Sequence, residues 1–289
     1  MNKPIDVAVV GCGHMGNHHA RTVAEHPDCR LIATVDSDMS RASLLAERYG
    51  SAAHQQVPDG VDAVIVATNT YAHEEDAMPL LKAGRWCLVE KPLALTPKSA
   101  SAMLADRLAV GHIERFNPAI RAAGLMKPRY VEALRLAPPT GRSRDTDVIF
   151  DLMIHDLDLM LNWAAGEIEW IDAVGLAVEG EQLDTCSVHM RWECGLTASL
   201  VASRVSSLPT REVRVFEKGR YTFLDMVQGI AKRNGVAISS NGDSRDALTA
   251  QLDDFVAAIR GEKSVAVTGA SGVRAVILAE RIRSAVKSR

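Results

Sequence analysis

Residues 9–16 read Val-Val-Gly-Cys-Gly-His-Met-Gly, an apolar run that breaks directly into a G-x-G-x-x-G turn, and the next apolar run, Leu31 to Val35, ends on Asp36. Strand, glycine turn, helix and acid in that order leave room for few architectures. Gly11 permits a sharp strand-to-helix turn, Gly13 lets a pyrophosphate approach the backbone, and Gly16 lets the helix pack closely on its strand. Phosphates would then meet the N–H groups at the helix N-terminus, where His14 and Met15 stand. An acid at the end of the second run accepts hydrogen bonds from a ribose and repels a 2′-phosphate. The ligand expected at Gly11, Gly13, His14, Met15, Gly16 and Asp36 is therefore a dinucleotide, NAD in preference to NADP.

The turn opens a longer alternation. Apolar runs at Ile5–Val10, Leu31–Asp36, Val61–Thr68 and Trp86–Glu90 are separated by helical stretches from Met15, at Ser40–Tyr49 and at Glu74–Ala83. Such alternation marks βαβ units and a parallel sheet. Val61–Ala67 is almost continuously apolar, as for a central strand covered on both faces. A short helix, Ser99–Asp106, leads to a last strand at Arg107–His112. From Pro128 the pattern changes to longer alternating runs at Arg129–Leu136, Trp170–Val178, Thr185–Trp192, Leu196–Ser203, Arg211–Phe216 and Tyr221–Asp225, with turn signals at Glu193-Cys-Gly and Glu217-Lys-Gly. These predict a large, mostly antiparallel open sheet, followed by helices at Arg245–Arg260 and Ser271–Lys287, the first ended by Gly261. The expected fold is α/β, with a nucleotide-binding domain over residues 1–113 and an α+β domain over 114–289.

Composition narrows the partners. With 36 acids against 33 bases and no block of either sign, the chain is a poor match for a phosphate-backbone binder, so no nucleic acid is expected. No apolar run reaches the length of a membrane span, and the first strand begins too early for a signal peptide, which predicts a cytoplasmic protein that acts on small molecules. Five scattered cysteines lack a C-x-x-C pair and are expected as free thiols.

Two further clusters carry chemistry. Glu90-Lys91-Pro92 ends an apolar strand on the side where open parallel sheets place their ligands; a solvated charge pair is the plain alternative. Residues 150–161, Phe-Asp-Leu-Met-Ile-His-Asp-Leu-Asp-Leu-Met-Leu, read as a helix with Asp151, His155 and Asp158 on one stripe. A polar stripe on a buried helix needs a pocket, a ligand or a compensating network. A metal site is not expected there, since no second ligand cluster lies nearby, nor at His14 and His18, whose place on the cofactor turn and first helix favours packing or solvent exposure. His73, after Ala67-Thr68-Asn69, either lines the cofactor groove or caps its helix.

The glycine turn, Ala67-Thr-x-x-x-x-His73, Ala83-Gly-x-x-x-Leu-Val-Glu-Lys-Pro-Leu-Ala94 and Asp151-x-x-x-His155-x-x-Asp158 together resemble the Gfo/Idh/MocA oxidoreductases over nearly the whole chain. The resemblance implies a Rossmann domain, an α/β domain whose open sheet often mediates oligomerisation into a homodimer or homotetramer, NAD(P), and a sugar, inositol or similar polyol as substrate. Gly111-His-Ile-Glu-Arg-Phe-Asn-Pro118 looks most like the members that oxidise the 3-hydroxyl of UDP-amino sugars for lipid A or surface-polysaccharide synthesis; inositol or simple sugar dehydrogenases and a non-catalytic cofactor binder are the alternatives. Carried over by position, Lys91 would hydrogen-bond the reacting hydroxyl and the nicotinamide ribose, His155 would take the hydroxyl proton and Asp151 would orient the site. Arg115 and Asn117 would shape its substrate end, and Thr68, Asn69, His73 and Glu90 would contact the cofactor. Arg142, Arg144, Arg204 and Arg211 could meet a diphosphate. The chain departs from the family at Asn69, where proline is usual, and in a helix before Leu108 about ten residues shorter than usual, which could displace the strand beside Lys91.

Overall fold

The structure is a computed structural model that describes residues 3–139, 146–239, 243 and 245–286. In chain order its first part contains β1 (Ile5–Val10), α1 (His14–Glu25), β2 (Cys29–Val35), α2 (Met39–Tyr49), β3 (Ala52–His54), β4 (Ala63–Val66), α3 (His73–Lys82), β5 (Trp86–Val89), α4 (Pro97–Ala102) and β6 (Leu108–Val110). The strands form one parallel sheet in the order β3-β2-β1-β4-β5-β6. β1 and β4 are buried along their whole length; β4 is an unbroken apolar run, and the one charge in β1, Asp6, is paired with Arg30. Local chemistry sets the ends of the helices. Asp38 accepts a hydrogen bond from Ser40 N at the start of α2, and Gly50, at φ +73°, closes it in the left-handed region.

α4 is short, six residues against the eight expected over Ser99–Asp106. It does not displace the strand that follows: β6 pairs with β5 in register, Cys87 with Leu108 through Val89 with Val110.

The second part contains α5 (Pro118–Ala123), β7 (Tyr130–Leu136), a π-helical turn at Ile149–Met153, α6 (Ile154–Trp163), β8 (Ile168–Leu176), β9 (Thr185–Trp192), β10 (Thr197–Ser203), β11 (Thr210–Glu217), β12 (Arg220–Asp225), β13 (Ile230–Arg233) and β14 (Val236–Ile238). Its eight strands run β14-β13-β12-β11-β7-β10-β9-β8, antiparallel except where β7 meets β10. β7, β9 and β10 alternate buried and accessible residues, so one face of the sheet is covered. The short strands β3, β13 and β14 are absent from the sequence reading. They span three or four residues without a period-2 apolar pattern, and ladder pairing with a neighbour makes them strands.

The chain ends in α7 (Ala247–Ile259) and α8 (Gly269–Ala285). The described residues divide into two compact units, 3–112 with 248–273 and 113–247 with 274–286. A single cut near residue 113 therefore misplaces α7. Its Leu252, Phe255, Val256 and Ala258 join Val7, Val9, Ile65 and Leu88 in the core of the first unit. A short-range pattern reading cannot see a helix that returns to a sheet more than a hundred residues earlier. Lys287, the last residue of the expected final helix, lies outside the described residues. Among the described residues no helix is long and apolar enough to cross a membrane, and no three His, Cys, Asp or Glu side chains cluster as metal ligands. All five cysteines are free.

Candidate active site

In the first unit, β1 runs into the glycine turn, and the three glycines have different reasons to be there. Gly11 sits at φ +89°, and a Cβ on it would lie 2.6 Å from Thr68 N at the end of β4. A Cβ on Gly16 would lie 1.7 Å from Gly11 O, so the helix reaches its close approach only without one. Gly13 has ordinary extended angles, φ −77° and ψ −157°, and a Cβ there would meet no protein atom within 4 Å. The protein itself gives no reason for glycine at 13; a ligand lying on the turn does. Gly13 caps α1 without any side-chain hydrogen bond, which leaves the helix N-terminus to an anion. The turn thus fits a dinucleotide pyrophosphate.

Asp36 holds the turn from the end of β2. Its Oδ2 accepts from Cys12 N at 2.7 Å and its Oδ1 from Asp38 N at 2.9 Å, while Gly11 N donates to Val35 O. Each carboxylate oxygen keeps a further lone pair for a ribose hydroxyl. Burial and the neighbouring Asp36 charge push the Cys12 thiol up to about 11, so it is inert packing within the turn. His14 is exposed with its ring edge-on to His18, and Met15 is half-buried. Thr68 Oγ1 donates to Asp76 at 2.6 Å, and the exposed Asn69 donates to Tyr71 Oη.

Glu90 is not the solvated charge of the plain reading. It is buried, and its Oε1 lies 2.7 Å from His19 Nε2 on α1, while its Oε2 accepts the Lys91 backbone N–H. Burial pushes this carboxyl up, but the His19 hydrogen bond and charge, with Lys91, hold it below its ordinary value. His73 does not cap α3, whose N-cap Ala72 receives no side-chain bond. Its Nδ1 lies 3.1 Å from Pro92 O and 3.3 Å from Leu93 O, its Nε2 3.1 Å from Thr68 O. Burial lowers its pKa, outweighing the carbonyls and Glu90, and the neutral form this favours donates through one ring nitrogen alone, to Thr68 O or to the Pro92 and Leu93 carbonyls. Between these partners stands Lys91, half-buried among buried neighbours.

In the second unit the expected stripe divides. Asp151 and His155 are half-exposed, whereas Asp158 is buried and receives Arg115 through Nε and Nη2, both at 2.7 Å. Asp151 falls in the π-helical turn, where i→i+5 bonding rotates side chains away from the α-helical register used to align it with His155. Asp147 starts this segment: its Oδ1 accepts from Ile149 N and Phe150 N, and burial raises its pKa. Asn117 is committed to the fold, its Oδ1 accepting from Ala119 N and its Nδ2 donating to Glu114 Oε2 and Met226 O. Arg204 is likewise engaged with Asp184 and Thr146 O, and the exposed Arg211 lies 3.6 Å from Glu114. Arg142 and Arg144 lie outside the described residues.

The sequence reading misses His19, and also a buried cluster in which Arg135 meets Asp156 through two bonds and Glu114 through a third, all at 2.8–2.9 Å. Both had a signal. His19 falls on the buried face of α1 with Gly16, Ala20 and Val23, and Arg135 occupies an inward position of β7 after Val131 and Ala133.

A six-stranded parallel sheet with this glycine turn, in a chain that also carries a large mostly antiparallel sheet, defines a dinucleotide-dependent oxidoreductase with a Rossmann domain. The pattern of the oxidoreductase family with an NAD-binding Rossmann fold matches residues 5–109, and the C-terminal domain pattern of the same family matches residues 131–222. The chain belongs to the Gfo/Idh/MocA family. It is 37% identical to the UDP-N-acetylglucosamine 3-dehydrogenase of Acidithiobacillus ferrooxidans over 97% of this chain and 96% of that protein. A crystal structure of that enzyme superposes with a TM-score of 0.89 at 36% identity, covering 99% of this chain and 98% of the other. The myo-inositol dehydrogenase Hyg17 of Streptomyces leeuwenhoekii is 34% identical over 68% of this chain and 69% of its own.

Proposed function

We propose that the protein is an NAD-dependent dehydrogenase that oxidises the 3-hydroxyl of a UDP-amino sugar such as UDP-N-acetylglucosamine, in lipid A or surface-polysaccharide synthesis. The observation that carries this reading is 37% identity to a UDP-N-acetylglucosamine 3-dehydrogenase over 97% of this chain, where inositol dehydrogenases that match over 94–97% of the chain are 24–26% identical. NAD is favoured over NADP by the Asp36 carboxylate at the end of β2, which repels a 2′-phosphate. Lys91 hydrogen-bonds the reacting hydroxyl and stabilises the charge that develops as it loses its proton. His155 accepts that proton, and Asp151 orients the site. Arg115 and Asn117 shape the substrate end by fixing the turn at 113–117, through Asp158 and Met226 O respectively. Bound NAD supplies the hydride acceptor. We place the enzyme in the cytoplasm as a homodimer or homotetramer.

The test is NADH formation from NAD and UDP-N-acetylglucosamine, alongside thermal shifts with UDP-sugars, free sugars and inositols in the presence of NAD. Turnover that is lost in Lys91→Ala supports the reading. Stabilisation or turnover with inositols or free sugars alone overturns the substrate, and NAD binding without turnover on any of them overturns the enzyme.

A further inference from the structure

The segment from Glu90 to Leu93 is gripped at both ends by histidines from different helices. From α1, His19 Nε2 donates to Glu90 Oε1 at 2.7 Å, and Glu90 Oε2 receives the Lys91 N–H at 3.1 Å. Gly111 makes room for the carboxylate, since a Cβ there would lie 3.0 Å from Glu90 Oε2. From α3, His73 holds the carbonyls of Pro92 and Leu93. Lys91, between them, is the one residue of the four that is not buried.

We propose that His19 is a positioning residue for Lys91: by keeping Glu90 a paired, buried carboxylate, it fixes both the backbone and the local charge from which the Lys91 ammonium acts. The inference rests on the role given to Lys91 above. His19 is 2% exposed on the apolar face of α1, where a polar ring persists only with a partner. The charged and titratable groups that act on Glu90 are His19 from α1 and its neighbour Lys91, and Glu90 in turn acts on His73 from α3. Without the imidazole, burial favours protonated Glu90. The Lys91 N–H then loses an ionic acceptor, and the ammonium loses its adjacent negative charge.

The full chain with NAD bound is compared as wild type, His19→Ala and His19→Gln, the glutamine retaining an N–H donor. One readout needs no substrate: the acetylation rate of Lys91 relative to exposed Lys98, followed by mass spectrometry between about pH 6 and 9. In His19→Ala this ratio changes by about threefold or more, and in His19→Gln it stays close to wild type. The other readout is kinetic: kcat falls on the order of tenfold in His19→Ala with KM for NAD little changed, and the acid limb of kcat moves to higher pH. Unchanged Lys91 labelling, a KM effect without a kcat effect, or failure of glutamine to restore either readout overturns the inference. If His19→Ala does not fold, Glu90→Gln must show the same change in labelling, or the inference falls. Absence of wild-type turnover counts against the dehydrogenase reading and leaves the labelling comparison to decide on His19.

Discussion

Replacing Gly13 by alanine separates folding from cofactor binding at a single methyl group. The backbone at 13 already has angles open to any L-residue, and the new Cβ meets no protein atom within 4 Å. The change in stability is therefore small. Alanine restricts the unfolded chain, worth about 0.4–1 kcal/mol, and is a poorer N-cap than glycine by a comparable amount, so the two offset. The melting temperature should stay within about 2 °C of wild type, the shift that roughly 0.5 kcal/mol produces in a chain of this size. Binding differs, because the methyl group occupies the space against which a pyrophosphate must lie. Overpacking of one methyl costs about 1–3 kcal/mol, which weakens NADH roughly 5- to 150-fold. Differential scanning fluorimetry and an NADH fluorescence titration on the same sample measure both. Gly16→Ala is the contrasting control: its Cβ would stand 1.7 Å from Gly11 O, so it damages the fold itself. A Gly13→Ala protein that binds NADH as wild type does, or that unfolds as Gly16→Ala does, would refute the assignment of the turn to the cofactor.

Other changes follow from burial and charge. Arg135→Met leaves Asp156 and Glu114 buried without their cation and should cost about 3–5 kcal/mol in urea unfolding at neutral pH. Removing the exposed Arg191 beside Glu169 should cost less than about 1 kcal/mol in the same experiment. Because burial holds His73 below its ordinary value of 6.5, the unfolded chain takes up that proton first as pH falls. The associated stability is complete above pH 6.5 and lost progressively below it, so His73→Gln should flatten that part of the pH–stability curve. Burial pushes Cys87 and Cys186 up to about 12 and Cys12 to about 11, whereas Cys194 is exposed. Iodoacetamide at mildly alkaline pH should therefore modify Cys194 first, as read by peptide mass spectrometry.

The legible parts of this chain are those whose cause is local. The glycine turn announces a backbone requirement within eight residues, and the apolar run before Ala67 announces a strand covered on both faces, so the parallel sheet could be read directly. The return of α7 to that sheet, the strands β3, β13 and β14, and the π-helical turn under Asp151 depend on partners supplied by the rest of the fold. The same holds for the buried charges, whose partners are remote in sequence: His19 and Glu90 are 71 residues apart, Arg135 and Asp156 are 21 apart. What the sequence does carry is one half of each pair, a polar residue at a position where periodicity demands an apolar one.

Those pairs also share a placement. In the first unit the buried Glu90 precedes half-buried Lys91, and in the second the buried Asp156 follows half-exposed His155. Each acid is fixed by at least two hydrogen bonds, to His19 and Lys91 N in one case and to Arg135 in the other. Burying a charge is costly unless it is paired and hydrogen-bonded, so each such pair tolerates little movement. A backbone pinned at one residue fixes the point from which its neighbour's side chain extends. The buried pairs therefore do for the backbone at Lys91 and His155 what flexible surface charges could not: they hold the point from which each side chain extends.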